Sequence, residues 1–392
     1  MISVNQAIEI VKQNGGVGAS QKMHLNEALH LFLSENVYAP IPVPSFHQSA
    51  MDGYAFKFKD IDFALEIVDE IPAGDTRDIE VKAKQAIRIF TGAKVPESCD
   101  TVVMQELTEV NEHKLLVKDT ALKLGGNIRK EGHQIKAGEL ALAKGTQITP
   151  AAVGFLASLG CVEVKVFTPP RVSILATGNE LVQPGNTLQK GQVYESNTRM
   201  LEAALNQLNI KPAIIFLPDH FELTQQAIAK AIQRADILII SGGISVGDYD
   251  FVKPALEANQ VQQLFYKVNQ KPGKPLFFGK KENKLVFALP GNPAAALNCF
   301  YIYVRPAIGM YTGNPAPFLP AVKRSIHQSH QKKSGRAEFL KAFSNGENVT
   351  LLEGQGSDVL RSFVKANCLV FLEDNINQVK AGDVVLTYML PV

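Results

Sequence analysis

No run of apolar residues in this 392-residue chain is long enough to cross a bilayer, so a soluble protein is expected and membrane attachment is not. A surplus of either charge is also missing: 40 Lys+Arg stand against 38 Asp+Glu, a formal net charge of +2. No overall field therefore pulls the chain toward nucleic acid or an anionic surface, and any anion must be bound locally. Cysteine is scarce. Cys99, Cys161, Cys299 and Cys368 lie far apart, each in or beside an apolar segment, which is the pattern of packed, reduced thiols and not of a disulfide framework or a zinc site. A cytoplasmic location is expected from this, and Glu9 and Lys12 interrupt any signal-peptide core. Internal repeats and low-complexity tracts are absent. Of the eight histidines only His327 and His330 are close, and the basic, polar run 323–333 around them reads as a solvated loop.

The most informative stretch is 236–254. Ile237 to Ile240 read as a strand buried on both faces, stopped by Ser241-Gly242-Gly243. A strand that runs into glycines and then toward a helix start leaves backbone N–H groups free for an anion, usually a phosphate. The loop lacks the Gly-Lys-Ser/Thr ending of a P-loop and the spacing of a dinucleotide fingerprint. It also carries Asp248 and Asp250. Two carboxylates would repel a phosphate by about 1 kcal/mol per charge pair in water, and more in a cleft, unless a divalent cation reverses the sign. A phosphorylated ligand held partly through Mg²⁺ is one reading; an ordinary loop with solvent-facing aspartates is the other.

Taken in order, the chain opens with Val4, Ala7, Ile8 and Val11 on one helical face behind Ser3, a candidate N-cap. Residues 21–33 read as a second amphipathic segment, and Pro40, Pro42 and Pro44 force an extended linker. Residues 49–55 form a turn on Asp52-Gly53, most simply a hairpin turn. Short β-branched segments at 64–71, 86–90, 101–105, 115–117 and 139–143 make a β-rich domain, in which the Thr91 hydroxyl could meet a ligand or close a local turn. Thr149-Pro150 starts a helix that ends at Gly160. From residue 171 strands at 172–176, 213–217, 237–240 and 285–289 alternate with helices at 198–208 and 223–234, with another running from Pro293 through Phe300. That alternation predicts a doubly wound, mostly parallel sheet whose loops 177–180, 241–250 and 290–293 line one edge. Lys271 and Lys274 sit on a stiff Lys-Pro-Gly-Lys-Pro turn that suits an oxyanion or plain solvent. After the proline-rich run 315–320, strands at 336–343, 349–352, 368–372 and 384–390 make a small all-β domain.

Six ordered motifs together resemble the molybdopterin molybdenumtransferase family, also called the MoeA or gephyrin E-domain family. They are Ser-Ala-Met-Asp-Gly-Tyr-Ala (49–55), Ile-Phe-Thr-Gly-Ala-Lys-Val-Pro (89–96), Thr-Gly-Asn-Glu-Leu (177–181), Ser-Gly-Gly-Ile-Ser-Val-Gly-Asp-Tyr-Asp (241–250), Lys-Pro-Gly-Lys-Pro (271–275) and Leu-Pro-Gly-Asn-Pro (289–293). The resemblance implies a multidomain α/β protein: a helical and linker domain (1–45 with 146–165), a β-rich domain (46–145), a three-layer α/β molybdopterin-binding domain (166–312) and a C-terminal small β-barrel domain (313–392). It implies a Mg²⁺-dependent enzyme that takes adenylylated molybdopterin and molybdate, places molybdate on the dithiolene and releases AMP. It implies a homodimer whose cleft lies between the α/β domain of one subunit and the β-rich domain of the other, contact with the molybdopterin adenylyltransferase, and no nucleic-acid or membrane partner. By position, Asp52, Thr91, Glu180 and Asp250 match residues important for activity, with Asp250 and Glu180 suited to the metal. Ser241, Gly242, Gly243, Asp248, Lys271, Lys274, Pro290, Asn292, Pro293, Arg336 and Ser357 match substrate-side positions. Three departures stand out: Gln134 and His47 where the family usually has aspartate, and Ala295 where serine is common. A pterin-binding scaffold with weakened catalysis and a nucleotide pyrophosphate hydrolase are the alternatives.

Overall fold

The structure, a computed structural model, describes residues 1–244, 251–333 and 335–391. The chain forms two compact units, residues 1–21 with 166–392 and residues 22–165.

The first unit holds a six-stranded sheet made by β1 (Val172–Thr177), β2 (Ala213–Leu217), β3 (Ile237–Ser241), β4 (Gln262–Tyr266), β5 (Phe277–Lys281) and β6 (Lys284–Leu289) in the spatial order β2-β1-β3-β6-β5-β4. Strands β2, β1, β3 and β6 run parallel, with Ile174 opposite Ile239 and Ile239 opposite Phe287, and β5 turns back antiparallel. Every residue of β3 is buried, and successive side chains feed two different cores. Ile237 and Ile239 join helices α1 (Val4–Asn14), α2 (Asn197–Asn206), α5 (Pro293–Cys299) and α6 (Arg305–Tyr311) on one face. Leu238 and Ile240 pack against α3 (Phe221–Arg234) and α4 (Val252–Ala258) on the other. This is the three-layer, doubly wound arrangement expected of an apolar run with period two and helices on both sides. Helix α1 starts at a reciprocal capping box in which Gln6 N–H donates to Ser3 Oγ at 3.2 Å and Ser3 N–H donates to Gln6 Oε1 at 2.9 Å.

The same unit ends in a closed five-stranded barrel of β7 (Ala321–Ile326), β8 (Ala337–Ser344), β9 (Asn348–Leu351), β10 (Cys368–Leu372) and β11 (Val384–Met389), around a core that includes Ile326, Leu340, Val349, Val370 and Val385. The run 323–333 is therefore not one solvated loop. Lys323 to Ile326 complete β7, and His330–Gln331 pairs with Gln378–Val379. The basic side chains are tolerated because β7 buries only Ile326 fully.

The second unit carries a mixed six-stranded sheet with Gly53–Phe56 paired antiparallel to both Gln85–Ile89 and Thr101–Met104. Asp52-Gly53 does not make the expected hairpin turn: the strand before it, Gln48–Ser49, pairs with Ile128–Arg129 instead. Gly53 is required by close packing, since a Cβ there would lie 1.8 Å from the Val103 carbonyl oxygen. Residues 21–33 are likewise not helical; Ser20–His24 is a strand and residues 25–30 are turns. Thr149 caps the helix Pro150–Ser158 as its hydroxyl and the following proline predict.

All four cysteines are free, and burial pushes the Cys99 thiol up to about 12, so that thiol stays protonated and unreactive at neutral pH. Among the described residues no helix is long and apolar enough to cross a membrane.

Candidate active site

The C-terminal edge of the parallel sheet opens into a cavity of about 940 Å³. Three strands contribute their ends and the residues that follow: Thr177, Gly178 and Glu180 at the end of β1, Ser241, Gly242 and Gly243 at the end of β3, and Pro290 to Pro293 after β6. Lys271, Lys274, Arg336 and Ser357 complete the wall. Glu180 and Lys274 are exposed to solvent within it. Asp248 and Asp250 lie outside the described residues.

Backbone conformation brings the loops close. Gly242 and Gly243 take φ of +89° and +62°, and a Cβ on Gly242 would sit 2.9 Å from the Thr177 carbonyl oxygen. Asn197, at the start of α2, ties the other side together by donating through Nδ2 to Ser241 Oγ at 3.0 Å and to the Gly291 carbonyl at 2.7 Å. The loops after β1 and β2 are joined reciprocally, Asn179 N–H to Asp219 Oδ2 and Asp219 N–H to Asn179 Oδ1, each at 3.1 Å. Thr177 Oγ1 and Asn197 Oδ1 are buried in this wall with no hydrogen-bond partner among the described residues. Buried polar atoms are normally satisfied by protein, water or ligand partners.

The barrel supplies its share through two buried lysines. Lys341 donates its ammonium to the carbonyls of Gly354 (2.7 Å), Gly356 (3.1 Å) and Val359 (2.8 Å), which holds the turn that carries Ser357. Lys332 does the same for Arg336, through its carbonyl at 3.0 Å, and for the carbonyls of Glu373 and Asp374. Burial lowers the affinity of both amines for their proton. Ser357 Oγ in turn accepts from Asn292 Nδ2 at 2.7 Å, and its carbonyl accepts from Ala295 N–H at 3.2 Å. Ala295 is buried at the start of α5.

Asp52 and Thr91 meet each other in the second unit. Asp52 Oδ1 accepts from the Thr91 N–H at 2.7 Å and from the Thr91 hydroxyl at 2.8 Å. Those bonds, the backbone one first and then the hydroxyl, outweigh a small burial effect, and with help from Arg88 they hold the carboxyl below the usual range. His47 accepts from Glu131 N–H at 3.0 Å through Nδ1, and Gln134 lines a separate hollow beside Arg129.

Comparison with known proteins decides what this geometry belongs to. Residues 2–160 match the MoeA N-terminal region (domain I and II), residues 173–309 a family described as "Probable molybdopterin binding domain", and residues 325–390 the MoeA C-terminal region (domain IV). A molybdopterin molybdenumtransferase from Haemophilus influenzae is 37% identical, over 98% of each chain. The chain belongs to the molybdopterin molybdenumtransferase family. A second member, from Staphylococcus epidermidis, is 32% identical over 98% of this chain and 94% of that one. The crystal structure of a molybdopterin biosynthesis MoeA protein from Pyrococcus horikosii superimposes with a TM-score of 0.86 at 27% identity, covering 99% of both. Membership makes the chain a transferase of molybdenum cofactor biosynthesis.

Within this molybdenumtransferase fold, sequence reasoning passed over Asn197 and Glu195. Glu195 is buried and accepts from Thr198 N–H at 2.8 Å and from the Thr198 hydroxyl. The run Glu195-Ser196-Asn197-Thr198 ahead of an apolar helix was the available signal, since such residues satisfy helix-start amides.

Proposed function

We propose that the chain transfers molybdate onto the dithiolene of adenylylated molybdopterin, with Mg²⁺ and with release of AMP. The observation that carries this reading is the two-sided chemistry of one cavity. Glycine loops, hydroxyls and the Glu180 carboxylate line it from the sheet edge, while Lys271, Lys274 and Arg336 line it from outside the parallel strands. The first side suits a pyrophosphate and the second a tetrahedral dianion.

The donors on the sheet side are oxygens, which are the ligands Mg²⁺ takes. Glu180 and Asp250 would hold the ion. Bound there, it would neutralise phosphate charge as the link to AMP breaks. Ser241, Gly242 and Gly243 would orient the phosphates. Lys271, Lys274, Arg336 and Ser357 would hold molybdate, with Asn292 fixing Ser357 and with Pro290 and Pro293 stiffening the turn. Asp248 would support the metal side. The protein would act as a homodimer, with Asp52 and Thr91 offered by the other subunit, and would receive its substrate by contact with the molybdopterin adenylyltransferase.

The test is AMP release from adenylylated molybdopterin in the presence of molybdate and Mg²⁺. Asp250→Asn should abolish it. Unchanged turnover in that variant would sink the metal assignment, and turnover of simple dinucleotides without a pterin would favour a pyrophosphate hydrolase instead.

A further inference from the structure

Glu338 is buried to 1% exposure, and it contacts Lys271 of the cavity wall without being among the described residues that line the cavity. A carboxylate is taken out of water only at a cost that partners must offset. Here each oxygen has its own partner: Oε1 faces Lys271 Nζ at 3.4 Å and Oε2 faces His330 Nε2 at 2.9 Å. The backbone arrangement produces this pairing. The two-residue strand Gln270–Lys271 runs parallel to the start of β8, with Lys271 directly opposite Glu338. Gln270 locks that strand from beneath, donating through Nε2 to the carbonyls of Pro272 and Gly273, both at 3.1 Å, and accepting from the Tyr303 hydroxyl.

We infer that Glu338 is a positioning residue for anion binding, which holds Lys271 as an oriented donor on the cavity wall through a carboxylate that His330 fixes from behind. The charges around it fit that role. Lys332, the other cation near the carboxylate, spends its ammonium on three backbone carbonyls. Lys274 and Arg336 form no ion pair among the described residues, so they are cavity-lining cations without a carboxylate partner there, whereas Lys271 has one. Lys271 is 41% exposed, on a long side chain with much rotamer freedom, and the ion pair restricts that freedom before the ligand arrives.

This inference rests on the reading of Lys271 as an anion contact, and the experiment separates the two. Binding of molybdate alone to the full chain is measured by calorimetry for wild type, Glu338→Met, Glu338→Gln, Lys271→Ala and the double variant Lys271→Ala with Glu338→Met, with melting curves to establish folding. Met removes the acceptor at nearly constant volume. The expected result is a dissociation constant raised about tenfold by Glu338→Met, largely restored by Glu338→Gln, which keeps an oxygen for Lys271, and no further loss when Glu338→Met is added to Lys271→Ala. A carboxylate acting only as a repulsive charge would give the opposite sign, with both Glu338 variants binding the dianion more tightly. Tighter or unchanged binding in Glu338→Met, or equal losses with and without Lys271, overturns the positioning role. If Lys271→Ala binds molybdate normally, the anion-site reading itself falls.

Discussion

Gly242 offers the sharpest separation of backbone strain from site geometry. Alanine there meets two penalties. Its φ of +89° lies in the left-handed region, which costs a residue with a Cβ about 1–2 kcal/mol. The new methyl would also stand 2.9 Å from the Thr177 carbonyl oxygen, where ordinary contact begins near 3.4 Å, so the loops after β1 and β3 must part by roughly 0.5 Å. A misplacement of about 1 Å costs on the order of a hundredfold in rate, so half that distance corresponds to about tenfold. Gly382 is the control, because its φ of +92° carries the same strain while nothing lies within 4 Å of its added methyl and it does not line the cavity. Gly382→Ala should lower the melting temperature by about 2–8 °C in calorimetry, from strain alone, and Gly242→Ala by at least as much. Only Gly242→Ala should lose turnover, by about tenfold at saturating substrates. Full turnover in Gly242→Ala, or an equal loss in Gly382→Ala, would refute the argument that the close approach of these loops sets the site.

Two further outcomes follow from charge. Thr91→Val removes one of the two donors to Asp52, so the carboxyl should titrate at higher pH while the backbone N–H keeps part of the depression. An NMR titration of Asp52 that stays in place or moves down would contradict this. Asp236 accepts from the Arg171 N–H (3.0 Å) and guanidinium (3.0 and 3.2 Å) and from Lys284 (2.9 Å); burial raises its pKa, but these donors prevail and the net direction is down. Because Arg171 is 65% exposed, Asp236→Asn should cost only about 1–3 kcal/mol. A depressed carboxyl contributes stability that is complete above its unfolded value, near 3.8, and is lost as pH falls through the folded one. The gap between wild type and Asp236→Asn in denaturant unfolding should therefore be full at pH 7 and narrower at pH 3, and a gap of constant size would contradict the ionic assignment.

What could be read in the chain is what depends on neighbours along it. Ile237 to Ile240 announce a strand buried on two faces, Ser3 and Thr149 announce helix starts, and glycines after β1, β3 and β6 announce the sheet edge that opens into the cavity, because each signal lies within a few residues of the structure it makes. Among the strands that escaped, two in the parallel-sheet domain did so for the opposite reason. Gln262–Tyr266 begins with two exposed glutamines and Phe277–Lys281 ends in two lysines, which an edge hairpin accommodates and a buried parallel strand would not. Lys332, Glu338 and Lys341 were illegible altogether. By composition they belong to a solvated barrel surface, yet each is buried against groups brought in from elsewhere: Lys332 under carbonyls some forty residues away, Lys341 under the turn that carries Ser357, and Glu338 beside Lys271, 67 residues earlier. A charged side chain carries no local mark of the partner that will offset its burial. The motifs therefore reveal which residues line the cavity, while the residues that hold them in place become visible only when the barrel closes.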